Sequence, residues 1–299
     1  MHKGSTIEIF RRLFKLYPIN TVYSLLRSHL QEQQTRMNTY LRSSNAFALF
    51  LTTMLALSGC DISKFKGREA GEIPFNLVGV ETDACPIILS AANNRWNIDY
   101  FGFYLSNPEV RVDGKWQRVK FKQSHWQTPQ TALLKFHSAC SEPSDANSKI
   151  VLDVSEELLK LSTNLRFTMG LPFEQNHADV NVQPVPLNDE SMFADALNGH
   201  MFLKLDLSKV NDEKATWSYH LGNAGCEFSN DDSNKVEKCA FTNRVEFILP
   251  MTQLDTDLDI DISVSNIFAQ IDINEAPDCK FASPESAPCD KLIYNLVNR

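Results

Sequence analysis

Leu57-Ser58-Gly59-Cys60 has the form of a lipobox, the site where a bacterial signal peptide is cut and the new N-terminal cysteine is lipidated. It constrains the fold more than any other stretch, because it takes residues 1–59 out of the working chain and sends the rest to an oxidising compartment. The residues before it agree. Ala46 to Leu57 is an uncharged apolar run. It falls short of the ~20 residues a bilayer-spanning helix needs, and it suits a signal-peptide h-region. Arg42 supplies a weakly basic n-region, and Met37 is a natural start for such a peptide. Residues 1–36 read as an upstream extension. The expected organisation is thus 1–59 removed, 60–73 a polar tether, and 74–299 one folded domain. The expected location is the periplasmic side of the bacterial envelope, anchored by lipid on Cys60, with Asp61 hinting at retention in the inner membrane.

Processing also changes the charge. Of the 29 Lys+Arg and 37 Asp+Glu, residues 1–59 hold seven and two, which leaves a mature net charge of −13. A chain this acidic repels nucleic acid and anionic lipid surfaces, so membrane attachment falls to the lipid.

Beyond Cys60 there are six cysteines: Cys85, Cys140, Cys226, Cys239, Cys279 and Cys289. An even count in an exported chain reads as a disulfide framework. Cys226–Cys239 and Cys279–Cys289 are the economical local pairs and leave Cys85–Cys140 as the long-range bridge, one of fifteen pairings that six cysteines allow. The alternative is a thiolate metal site, but no CxxC spacing supports it.

The mature chain reads as all-β. Trp96 to Leu105 is aromatic and β-branched. Alternating residues flank Asp113-Gly114, a hairpin signal because both turn positions need positive φ. Further strands are expected at Thr131–Phe136, Lys149–Val154, Leu165–Gly170, Phe202–Leu207, Ala215–Leu221 and Arg244–Pro250. Short helices are expected at Ser155–Leu161, capped by Ser155, and at Asp189–Leu197. Many short strands with turn signals between them point to a β-sandwich with short helices, stapled by disulfides.

No phosphate loop, nucleophile elbow or HExxH motif is present, and no constellation supports an enzyme. The alternating acids Asp255, Asp257, Asp259 and Asp261 share one strand face and read as a solvated surface; a Ca²⁺ loop needs a glycine and a bidentate acid that are missing. The histidines His125, His137, His177, His200 and His220 are scattered. Three stand in unusual settings: His177 in a polar loop, His200 after Gly199, and His220 near a strand end. Imidazoles gathered from separate loops suit Cu, Zn or Ni.

An ordered series of segments resembles one family. It runs through Phe103-Tyr104-Leu105-Ser106-Asn107-Pro108, then Trp126-Gln127-Thr128 and Ala132 to Phe136 with Cys140. Leu165 to Phe173 with Asn176-His177-Ala178-Asp179 follows. Pro186-Leu187-Asn188, Ser191-Met192-Phe193, Phe202 to Asp206, His220-Leu221-Gly222 with Gly225-Cys226, and Asn243 to Glu246 complete it. The family is the MbnP-like group of metallo-mystery-pair, four-cysteine proteins, and the resemblance covers nearly all of 74–299. It implies an exported, disulfide-linked copper-binding protein that takes Cu(I). It also implies a di-haem partner of the cytochrome c peroxidase/MauG type, which in the family oxidises a tryptophan to kynurenine at the copper site. That tryptophan opens a Trp-x-Trp pair after Met-Phe. Here Met192-Phe193 is followed by Ala194-Asp195-Ala196, and the Gly-Tyr that usually comes next is Gly199-His200. The expected ligands are therefore His177 and His220, in the best-matching segments, with His200 as a substitute beside the lost pair. The alternative is a metal-free structural or docking lipoprotein that keeps the fold.

Overall fold

The computed structural model describes residues 68–91, 94–136, 145–232, 235–251 and 258–297. Cys60, His137, Cys140, Asp255 and Asp257 lie outside these residues, and with them the lipidation site and one half of the expected long-range disulfide. Arg68–Arg299 forms one compact unit. Its first strand, Glu72–Val78, begins two residues before the expected start of the domain at residue 74.

The fold is all-β and sandwich-like. It is organised around one long strand, Asn94–Val112. Along one edge this strand pairs first with Leu203–Lys209 and then with Ser162–Met169. Along the other it meets Ile87–Ala91, Thr131–Phe136 and Lys115–Arg118. On this second edge the change from Thr131–Phe136 to Lys115–Arg118 coincides with a register shift between Ser106 and Glu109 in the pairing with Ser162–Met169. Asn107 takes a positive φ of 51° there and breaks the pleat. Val245–Pro250 extends the sheet beyond Ser162–Met169, and Asp212–Leu221 with Cys279–Lys280 extends it beyond Leu203–Lys209. The hairpin at Asp113-Gly114 forms as expected, with φ of 49° and 76° and Val112 opposite Lys115.

A second layer holds Ile260–Ser263, Glu72–Val78 and Lys149–Val151. Phe75 joins the two layers, meeting Phe103 edge-on at 6.1 Å, and within the main sheet Phe101 stacks on Phe136 at 5.4 Å. Alternation decides which side chains enter this core. On Asp212–Leu221, Trp217, Tyr219 and Leu221 are buried, while Ser218 and His220 point to the other face and are only partly covered.

Ser155 caps the helix Glu156–Leu161, its hydroxyl accepting from the Leu158 N–H. The helix expected at Asp189–Leu197 is replaced by a single 3₁₀ turn, Glu190–Met192, and a small hairpin pairing Phe193–Asp195 with Gly199–His200. Side-chain carboxylates explain the difference. Asp189 accepts from the Ser191 N–H, and Asp195 accepts from the N–H groups of Leu197 and Asn198. These local bonds compete with helical ones and turn the chain. Gly199 completes the turn at φ 72°, where a Cβ would sit 2.4 Å from the Asn176 carbonyl oxygen.

Two disulfides are present among the described residues, Cys226–Cys239 and Cys279–Cys289. Cys85 is also disulfide-bonded. Cys226 and Cys239 face each other across a separate two-stranded ribbon, Ala224–Phe228 with Val236–Phe241. No helix among the described residues is long and apolar enough to cross a membrane.

Candidate functional site

His177 ends the short helix Phe173–Asn176, its backbone N–H donating to the Phe173 carbonyl. Its ring packs against that of Phe173 at 4.6 Å between centroids. The ring's Nε2 faces a ring of donors and sulfur. The Asn223 amide lies 3.1 Å away, the Asn176 amide 3.3 Å and the Cys239 Sγ 3.5 Å. Two amide N–H groups aimed at Nε2 fix it as the lone-pair nitrogen. Nδ1 is buried without a well-formed hydrogen bond. Burial lowers the pKa of this imidazole; the Ala196 backbone pulls it back up, the nearby His200 lowers it further, and Asp195 raises it, with a net fall. A neutral ring with an inward lone pair is the form that binds a metal.

Asn176, fully buried, ties this loop to the small hairpin. Its Oδ1 accepts from the His200 N–H at 3.0 Å, its Nδ2 donates to the Asn198 carbonyl at 3.3 Å, and its own carbonyl meets His200 Nδ1 at 2.9 Å. Ala194 and Ala196, where the family's tryptophan pair would fall, are exposed on the hairpin tip. The backbone of Ala196 is close enough to His177 to act on its charge.

His200 is fully buried, and it cannot serve as the expected substitute ligand in this arrangement. Its second nitrogen, Nε2, lies 2.8 Å from the Leu187 carbonyl. Both ring nitrogens therefore face carbonyl oxygens, and a metal would have to break a buried polar contact to reach either. Edge contacts with Phe193 and Tyr104 hold the ring in place.

His220 belongs to a different group. Its Nε2 pairs with Asp206 at 2.7 Å. Asp206 also meets Lys204, whose ammonium lies over the Tyr100 ring and donates to the Ser191 carbonyl. Lys135 joins through Asp189 at 3.1 Å. Burial alone would raise the Asp206 carboxyl, but the hydrogen bond and charge of His220, with Ser218 and Lys204, hold it below its ordinary value. This network anchors the Ser191-Met192 turn to the outer face of the sheet.

The three histidines expected from the sequence thus do not form one centre. Among the described residues, the one group of three whose candidate ligand atoms lie within 4.8 Å of one another is His177, Cys226 and Cys239, and its two sulfurs are joined. A copper ion held by three imidazoles does not fit these residues; of the three rings, His177 is the one whose Nε2 faces amides and a sulfur rather than a carbonyl or a carboxylate. His125 lies apart, its ring edge-on to Trp126 at 5.2 Å. Nothing in the spacing of residues pointed to the roles of Asn176 and Asn223. The nearest signals were the place of Asn176 in the Asn176-His177-Ala178-Asp179 segment that resembles the family and of Asn223 between its matching Gly222 and Gly225-Cys226.

The comparisons agree with the geometry at the level of the fold. The chain is similar to MbnP from Methylosinus trichosporium, at 20% identity and a TM-score of 0.58, over 74% of this chain and 86% of that one. No curated protein matches significantly. The MbnP family model matches residues 70–281, the span that contains both sheet layers, the His177 pocket and the disulfide ribbon, and the chain belongs to the MbnP family.

Proposed function

We propose that this chain is an exported, lipid-anchored copper-handling protein that takes Cu(I) loosely at His177 and works beside a di-haem cytochrome c peroxidase/MauG-like partner. The observation that carries the reading is the state of His177. It sits in a family-matching loop, beside the hairpin tip where the tryptophan pair is lost, with a neutral ring and its Nε2 lone pair turned inward. Without an indole to oxidise at Ala194 or Ala196, no kynurenine arises there, and copper has one imidazole where it prefers two or three donors. The role proposed is binding rather than catalysis.

A second reading rests on the commitments of the other two histidines. His200 is closed between two carbonyls and His220 is paired with Asp206. A chain that keeps the family fold while tying up these rings is suited to act as a metal-free docking lipoprotein for the redox partner. Elemental analysis of protein extracted from its native envelope separates the two. Copper at a substantial fraction of one equivalent, lost in His177→Ala, supports the first reading. Copper at background in both proteins, with the partner still co-purifying, supports the second.

A further inference from the structure

The Cys226–Cys239 disulfide lies against His177, with Cys239 Sγ 3.5 Å from its Nε2. As a disulfide its sulfurs are poor donors, because the thiolate is the metal ligand. Reduced, the three residues present two thiolates and one imidazole, a soft donor set suited to Cu(I). The spacing agrees. A metal ~2.0 Å from an imidazole nitrogen and ~2.3 Å from a thiolate, at a trigonal angle, separates the two by ~3.7 Å; Nε2 of His177 and Sγ of Cys239 are 3.5 Å apart. Breaking the S–S bond frees the sulfurs to part while the His177 ring stays packed against Phe173, and the Asn176 and Asn223 amides, which now donate to Nε2, give up that lone pair to the metal.

Access also favours this disulfide over its neighbour. Both of its cysteines are partly exposed, on a ribbon paired with no other strand among the described residues. Cys279 and Cys289 are buried. Exposed disulfides are the ones open to exchange.

We infer that Cys226 and Cys239, once reduced, join His177 in a redox-gated Cu(I) site. The inference rests on the reading of His177 as the copper-facing imidazole. An envelope dithiol supplies the two electrons and two protons: the S–S bond breaks, the reductant's own disulfide forms, and two thiols result. Cu(I) then displaces both thiol protons to solvent. Exchange with an oxidised dithiol re-forms the S–S bond, removes both sulfur donors and releases the ion.

The test uses the mature, folded, disulfide-bonded protein. It is reduced step by step with a dithiol without oxygen, the reductant is removed, and alkylation mapping identifies which cysteines are free. Cu(I) affinity is then read by competition with bicinchoninate. The expected result is that Cys226–Cys239 opens before Cys279–Cys289. The opened protein should bind one Cu(I) at least about tenfold more tightly than the oxidised protein, with a near-ultraviolet thiolate-to-copper band. The gain should vanish in Cys226→Ser/Cys239→Ser. It should vanish equally in reduced wild-type protein capped with iodoacetamide, a control that needs no mutation to fold. Equal affinity before and after reduction, a gain that survives capping, or earlier opening of Cys279–Cys289 overturns the inference. The oxidised protein's own His177-dependent affinity is measured in the same series. If that affinity is present and reduction adds nothing, the redox gate fails alone; if it is absent, the loose-copper reading fails first.

Discussion

Asn176 meets three neighbours through one side chain and one carbonyl: the backbone and ring of His200, the Asn198 carbonyl and the Nε2 of His177. Truncation leaves buried donors and acceptors without partners, each worth ~1–3 kcal/mol. Asn176→Ala is expected to lower stability by about 2–3 kcal/mol in urea unfolding, and a loss below about 0.5 kcal/mol would mean the clasp is dispensable. Asp189 gives a pH signature. Burial alone would raise its carboxyl, but the Ser191 hydroxyl and the Lys135 ammonium outweigh burial and hold it low. A carboxyl lowered on folding adds stability that is fully present above its unfolded pKa of ~3.9 and is lost as pH falls through the folded value. Asp189→Asn should therefore be less stable than wild type at pH 6, by about 1–2 kcal/mol, and the gap should close as the pH drops below ~4. A gap that stays constant down to acid pH would show that charge plays no part.

Among the elements, the C-terminal helix Cys289–Val297 depends on a covalent tie. Cys279 lies on a two-residue strand opposite Tyr219, and its bond to Cys289 fastens the helix, whose Leu292 and Leu296 enter the core. Cys279→Ala/Cys289→Ala is expected to cost about 2–3 kcal/mol, read as a shift in the urea midpoint; an unchanged midpoint would mean the helix holds by packing alone. The elements also show how far the sequence could be read. The Asp113-Gly114 hairpin was legible because turn chemistry and alternation are local signals, and Thr131–Phe136 because it is a short apolar run, buried almost throughout rather than alternating. The Asp189–Leu197 segment was not. Its residues tolerate a helix, and only the side-chain bonds of Asp189 and Asp195, with the approach of Gly199 to Asn176, turn it into a hairpin. The burial of His200 between two carbonyls was hidden for a similar reason. Its partners, Asn176 and Leu187, come from other turns, and no spacing along the chain reveals them.

At the scale of the whole molecule, an acidic domain with two strand layers, a disulfide ribbon and a partly buried histidine beside it follows a segment whose sequence resembles a lipoprotein signal. If Cys60 is the mature N-terminus, mass spectrometry of membrane-extracted protein should find it diacylated, with residues 1–59 absent. A soluble protein retaining Met37 would contradict this. The central claim concerns which imidazole faces the metal. Imidazole ¹⁵N spectra of the oxidised protein, recorded through an anaerobic Cu(I) titration, test it most directly. The account predicts that the Nε2 signal of His177 moves first, while both nitrogens of His200 keep the signature of two carbonyl contacts and His220 keeps its pairing with Asp206. Movement of the His200 nitrogens at low copper, with His177 unchanged, would contradict it.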